Sequence, residues 1–172
     1  KLRTLAEHGF LDDARAGLSE LSPAALRDLP QDRDHLSVLA DLSVVAVAVQ
    51  SLEHCQVVYE RLRPYADYYA MGLSLHCQGS LSQYLGKLAR ALGDAPAALV
   101  HLTHGLEQNR RAGLITWVIH NQIDLAKLLR APGPVQDLPR AQQLLRATAQ
   151  RAGELGMQPI RQAALQLSAS RA

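Results

Sequence analysis

Small apolar residues open a series of amphipathic stretches, each followed four positions later by a large apolar residue. Ala14 and Leu18, Cys55 and Tyr59, Ala98 and Leu102, and Ala141 and Leu145 are the four pairs. The small members lie 41, 43 and 43 residues apart, and a fixed period in the range of 20–50 residues is the mark of stacked helical units. Gly9 and Gly93 stand five residues before their anchors, where one helix has to end and the chain has to turn. Gln50 and Gln136 hold that place before the other two.

Each anchor helix has a predicted partner before it. Leu36–Val49 precedes Cys55, and Ile115–Leu129 precedes Ala141. Ser74–Leu92 precedes Ala98, with Leu75, Leu81, Leu85, Leu88 and Leu92 on one stripe. Only Lys1–His8 precedes Ala14, so the chain is expected to be a fragment of a longer protein that begins inside a helix. Ser43–Val49 is rich in β-branched residues, a strand signal, but its register places it in a helix. Gly113 and Gly156 read as helix stops and Asp34 as an N-cap. Pro159–Ser170 puts Ile160, Ala164 and Leu167 on one face and reads as a capping helix. The expected fold is all-α and free of β-sheet: a right-handed superhelix of about four antiparallel hairpins with a C-terminal cap. As one helical domain over 1–172, its units are about 1–29, 30–65, 68–113 and 114–156, with the cap at 157–172.

Composition supports close helix packing. Aromatic residues make up 4% of the 172, so Leu, Ala and Val have to build the core. The net charge of +2 is too small to argue for nucleic acid. No apolar run reaches membrane length, no signal segment opens the chain, and two cysteines make no disulfide framework. A cytoplasmic domain is expected.

Leu85-Gly86 lies twelve to thirteen residues before Ala98, and Leu42-Ser43 stands in the same relation to Cys55. Leu125-Ala126 does so for Ala141, with a three-residue insertion at Pro132-Gly133-Pro134. This arrangement resembles the tetratricopeptide repeat, though with a longer period. Leu62-Arg-Pro-Tyr65-Ala-Asp67, Cys77-Gln-Gly79-Ser80-Leu-Ser-Gln-Tyr84-Leu85-Gly86 and Asn109-Arg-Arg-Ala-Gly113 followed by Trp117 carry a narrower likeness. They are similar to the C-terminal helical-repeat region of large bacterial signalling regulators. Those regulators carry an ATPase module, with a class III cyclase domain in front or a LuxR-type DNA-binding domain behind. The resemblance implies a non-catalytic sensor or interaction module that contacts its own ATPase and output domains or another protein.

Candidate chemistry is sparse. His54-Cys55 and His76-Cys77, read as lying on consecutive antiparallel helices, could form a zinc site or a redox pair. Neighbours on a helix point about 100° apart, however, which favours two reduced core thiols. His101, His104 and Glu107 share a helix face without a further ligand and read as an outer face. Asp12-Asp13 complements a helix N-terminus. Gly79-Ser80 reads as a close helix contact, and no phosphate loop or nucleophile elbow exists. Neither metal nor cofactor is expected.

The inner face carries the functional expectation. If the first helix of each hairpin lines a concave side, the inner positions include Ser80, Gln83, Lys87 and Arg90. Those of the next unit are His120, Ile123, Lys127 and Arg130. Ser37, Ala40, Val44 and Val47 give an apolar floor. Such a groove suits an acidic segment or a terminal carboxylate. The plain alternative is a solvated basic face beside a covered Val-rich helix. A second functional alternative is a pocket for a small-molecule effector that switches the parent protein. Four cations without stacking aromatics do not make a nucleic-acid surface.

Overall fold

The computed structural model describes residues 1–32, 34–72 and 76–170. Among them, ten helices dominate. They are α1 (Leu2–Glu7), α2 (Leu11–Ser19), α3 (Pro23–Arg27), α4 (His35–Ala48), α5 (Leu52–Leu62), α6 (Leu81–Ala91), α7 (Ala95–Arg111), α8 (Ile115–Arg130), α9 (Leu138–Glu154) and α10 (Gln158–Ala169). A 3₁₀ turn at Arg63–Tyr65 and two short strands, β1 (Tyr69–Met71) and β2 (Cys77–Ser80), lie between α5 and α6.

Helices α2, α5, α7 and α9 begin at Leu11, Leu52, Ala95 and Leu138, with the 41, 43 and 43 residue spacings of the anchors. Each anchor is buried: Ala14, Cys55 and Ala98 are 0% exposed and Ala141 is 1% exposed. Helix α10 starts 43 residues after α8, the same spacing.

The turns explain the register. At Gly93 the backbone takes φ +84°, its amide bonds to the Arg90 carbonyl, and the Asp94 amide reaches Ala89. This Schellman closure satisfies carbonyls that a helix end leaves free. The same two bonds recur at Gly9, Gly113, Gly156 and Gln50. Gln50 takes φ +58°, and it is the one non-glycine residue in the left-handed region among those described. Asp94 and Asp137 then cap α7 and α9 by accepting from the amides of Ala97 and Arg140. Pro96 and Pro139 sit in the first turn, where a missing N–H costs nothing.

Consecutive helices pack on one another from α6 to α10, and α1, α4, α6 and α8 also contact each other in that order. Helix α4 contacts α1, α2, α5, α6 and β1, which explains why a segment so rich in valine is helical. Packing against five elements overrides its strand propensity. Gly86 lets α7 approach α6: a Cβ there would lie 2.5 Å from Cγ of Leu102 and 3.0 Å from its backbone nitrogen.

Two expectations are corrected. The helix predicted from Ser74 starts at Leu81, and the chain is not free of sheet. Ser74 and Leu75 themselves lie outside the described residues. Cys77–Ser80 is extended and pairs antiparallel with Tyr69–Met71, with an irregular register between Tyr69↔Ser80 and Met71↔Cys77. Tertiary contacts hold the hairpin. The Trp117 indole donates to the Cys77 carbonyl at 3.0 Å, and the Tyr84 hydroxyl donates to the Gln78 carbonyl at 2.7 Å. Gly79, at φ +86°, lies under Trp117, and a Cβ there would sit 2.8 Å from the ring. Its small size admits an indole rather than a whole helix. Ser80 becomes the N-cap of α6, accepting from the Ser82 amide.

Candidate functional site

Helices α1, α4, α6, α8 and α10 all reach one concave cleft of about 590 Å³. Successive turns of α8 supply Trp117, His120, Ile123, Asp124 and Lys127. Val44 of α4 and Ile160 of α10 add apolar surface, and Lys87 of α6 reaches in from the side. Helix α1 contributes Arg3 and Glu7.

The charges are mostly matched. Lys87 Nζ lies 3.1 Å from Asp124 Oδ2, with both side chains largely buried. Arg3 bonds Asp41 at 2.8 Å and Glu7 at 2.8 Å, and its guanidinium stacks 5.9 Å from the Trp117 ring. Burial opposes the Arg3 charge, but the bond to Asp41, the nearby Tyr84 and the bond to Glu7 together outweigh it and raise the pKa above its ordinary value. Lys127 is exposed and makes no ion pair among the described residues. Counting Asp41, three cations meet three carboxylates around the cleft, and Lys127 is the cation without an ion-pair partner among the described residues. His120 sits in the middle, 5.6 Å from the Trp117 ring. Burial, and then the neighbouring Lys87 charge, lower its pKa, so it is neutral at physiological pH.

A chain of buried polar side chains leads away from the cleft. Gln83, 0% exposed, donates to Asp124 Oδ2 at 3.1 Å and accepts from Asn109 Nδ2 at 3.3 Å. Asn109 Oδ1 accepts from the Ser80 amide at 2.9 Å, and the Ser80 hydroxyl donates to the Gln108 side chain. Tyr69 of β1 closes the run by donating to the Gln108 carbonyl at 3.0 Å.

Of the residues expected at the inner face, Val44, Lys87, His120 and Lys127 meet in the cleft, together with Ile123. Gln83 and Ser80 belong to the buried chain just described. Val47 packs against the core cluster of α1–α6. Arg130 donates to the Ser170 carbonyl at 2.6 Å, and neither it nor Arg90 lines the cleft. The expected basic stripe is thus interrupted by carboxylates. Asp124 carried a readable signal, four residues after His120 and three before Lys127 on one helix face. Arg3 and Glu7 are likewise an i, i+4 pair, but their arrival beside α8 depends on the packing of α1 on α4.

The histidines and cysteines lie elsewhere. His54 is pinned between Ser51 Oγ at 2.7 Å and the Leu21 carbonyl at 2.8 Å. His76 and Cys77 belong to the hairpin rather than to a helix, which corrects the expected facing of the two pairs. Both cysteines are free thiols, and burial pushes the Cys55 thiol up to about 11. His101 packs on Tyr59, and His104 meets Asp67 at 2.8 Å. Among the described residues, no three His, Cys, Asp or Glu side chains are grouped to hold a metal ion, and no helix is long and apolar enough to cross a membrane.

No protein-family model, curated protein or solved structure matches the chain.

Proposed function

We propose that this chain is a non-catalytic interaction or sensor module of a multidomain bacterial signalling or transcription regulator, built of tetratricopeptide-like hairpins in a superhelix. Its cleft receives an acidic segment of a protein partner, from the regulator's own ATPase and output domains or from another protein. The convergence of five helices on one cleft whose unpaired cation is Lys127 supports this reading. An acidic side chain would meet Lys127 at the rim, and apolar neighbours would cover Ile123, Val44 and Ile160.

Trp117 is the single tryptophan of the chain and lines the cleft, so its fluorescence reports occupancy directly. A synthetic peptide alternating Glu and Leu is expected to shift that emission saturably, with affinity falling as salt rises. Lys127→Glu, at an exposed position without an ion-pair partner among the described residues, should weaken binding at least about tenfold while leaving the helical circular dichroism unchanged. Unaltered binding by this variant would falsify the reading.

A second reading is a small-molecule effector site. The cleft's volume of about 590 Å³ lies within the range of ligand cavities, roughly 300–1,000 Å³, and α1 and α10 both contribute to its walls. A saturable Trp117 response to small anions, with none to the peptide, would select this reading over the first.

A further inference from the structure

Helix α8 carries a second lined cavity on its other side. Ile115, Val118, Ile119 and Gln122 recur at i, i+3, i+4 and i+7 and form one stripe. At about 100° per residue, this stripe lies roughly 150° around the helix from the cleft face. Together with the Gly113 turn and Ala147 of α9, the stripe borders an open slot of about 310 Å³.

Two guanidiniums stand at this slot, Arg110 from the end of α7 and Arg151 from α9. Arg110 is exposed and has no side-chain partner among the described residues. Arg151 is engaged by Glu154 at 2.6 Å, so about one full positive charge is left over. The start of α8 brings no counter-charge. Its N-cap is Leu114, which offers no capping side chain, and its first turn holds no acidic residue. No acidic side chain therefore neutralises the first turn of α8, which adjoins the C-terminal end of α7.

We infer that this slot binds a small apolar monocarboxylate. The alkyl or aryl body lies on Ile115, Val118, Ile119 and Ala147. The carboxylate sits between Arg110 and Arg151, where guanidinium donors match its two oxygens. The charge balance favours a monoanion, because Glu154 already neutralises part of the site. The volume is at the low end of ligand cavities, which limits the ligand to a short chain or a single ring system. This site shares no lining residue with the cleft, so it stands or falls independently of the cleft's function.

Octanoate is the probe, added to the full chain and followed by amide chemical shifts and calorimetry. Saturable 1:1 binding is expected, with shifts centred on Gly113, Ile115 and Ile119. Octanol, which lacks the charge, should bind at least about tenfold more weakly, as should the Arg110→Gln, Arg151→Gln double variant. Ala147→Leu fills the slot from an exposed helix position and should also abolish binding without disturbing the core. Lys127→Glu should leave octanoate affinity unchanged. Absence of saturation, equal binding of octanol, indifference to the arginine or Ala147 variants, or shifts centred on Trp117 and Lys127 would each overturn the assignment.

Discussion

Lys87 and Gln83, one turn apart on α6, share a single acceptor: Oδ2 of Asp124 lies 3.1 Å from Lys87 Nζ and 3.1 Å from Gln83 Nε2. The carboxylate thus serves the cleft and the interior together. Removing it strips a partner from a largely buried cation and from a fully buried amide.

Asp124→Ala is expected to destabilise the fold by about 1–3 kcal/mol, since both donors lose their acceptor. Lys87→Met should cost less, because Gln83 keeps its partner. Urea denaturation of both variants and of the double variant measures the coupling. Equal losses for the two single variants would show that Gln83 gains nothing from Asp124.

Ala98→Leu should destabilise by roughly 1–3 kcal/mol through overpacking. Ala98 is 0% exposed and belongs to the cluster that contains Leu102 and Ala126. An unchanged thermal midpoint would mean that α7 can shift to admit the larger side chain. Crystallography of the variant would then show that shift.

The turn at Gln50 offers a stabilising substitution. Gln50 adopts φ +58°, which costs an L-residue about 1–2 kcal/mol that glycine avoids. Gln50→Gly should therefore stabilise by about 0.5–1 kcal/mol, after the greater entropy lost by glycine. Gly93→Ala is the converse test. At φ +84° a Cβ there would meet nothing within 4 Å, so any loss reports the backbone alone. Chemical denaturation should give opposite signs for the two variants.

The histidines make stability depend on pH. Burial lowers the pKa of His120, with the Lys87 charge adding to it, while Arg3, Glu7 and Asp124 also act on the ring. Burial lowers His35 and His101 as well, assisted by Arg61 and by His104 respectively. In each case the unfolded chain takes up a proton near the ordinary value of 6.5 before the folded chain does. Stability should be intact above that value and decline as pH falls from it towards the depressed folded values. His120→Gln should flatten part of the decline. Urea midpoints recorded from pH 7.5 to 5 test this, and parallel curves for variant and parent would exclude His120 as a contributor.

Local pattern was enough for most of the helices, though not for the start of α6. The small anchors, the glycine turns and the Asp-x-Pro starts at Asp94 and Asp137 are all encoded within a few residues of where they act. The hairpin was misread because its determinants are remote. Cys77–Ser80 stays extended through a bond from Trp117, some forty residues later, and through the aromatic face over Gly79. Ser80 nonetheless held a local clue, as a serine placed to cap the helix that follows. At the cleft, the positions on α6 and α8 were legible from helical spacing alone. The carboxylates that break the basic stripe came partly from α1, whose place beside α8 depends on packing over α4.

The polar chain from Asp124 through Gln83, Asn109 and Ser80 to Gln108 also bears on how the molecule comes apart. Units that touch only their neighbours through apolar faces can fray one at a time. Here α8 cannot leave α6 without orphaning the Gln83 amide, and α7 cannot leave without orphaning the Ser80 amide. Each broken link exposes a fully buried partner, so α6, α7 and α8 should open as one cooperative block. Hydrogen exchange would then be slowest across these three helices and graded towards α1 and α10, giving the stack a stiff middle and yielding ends.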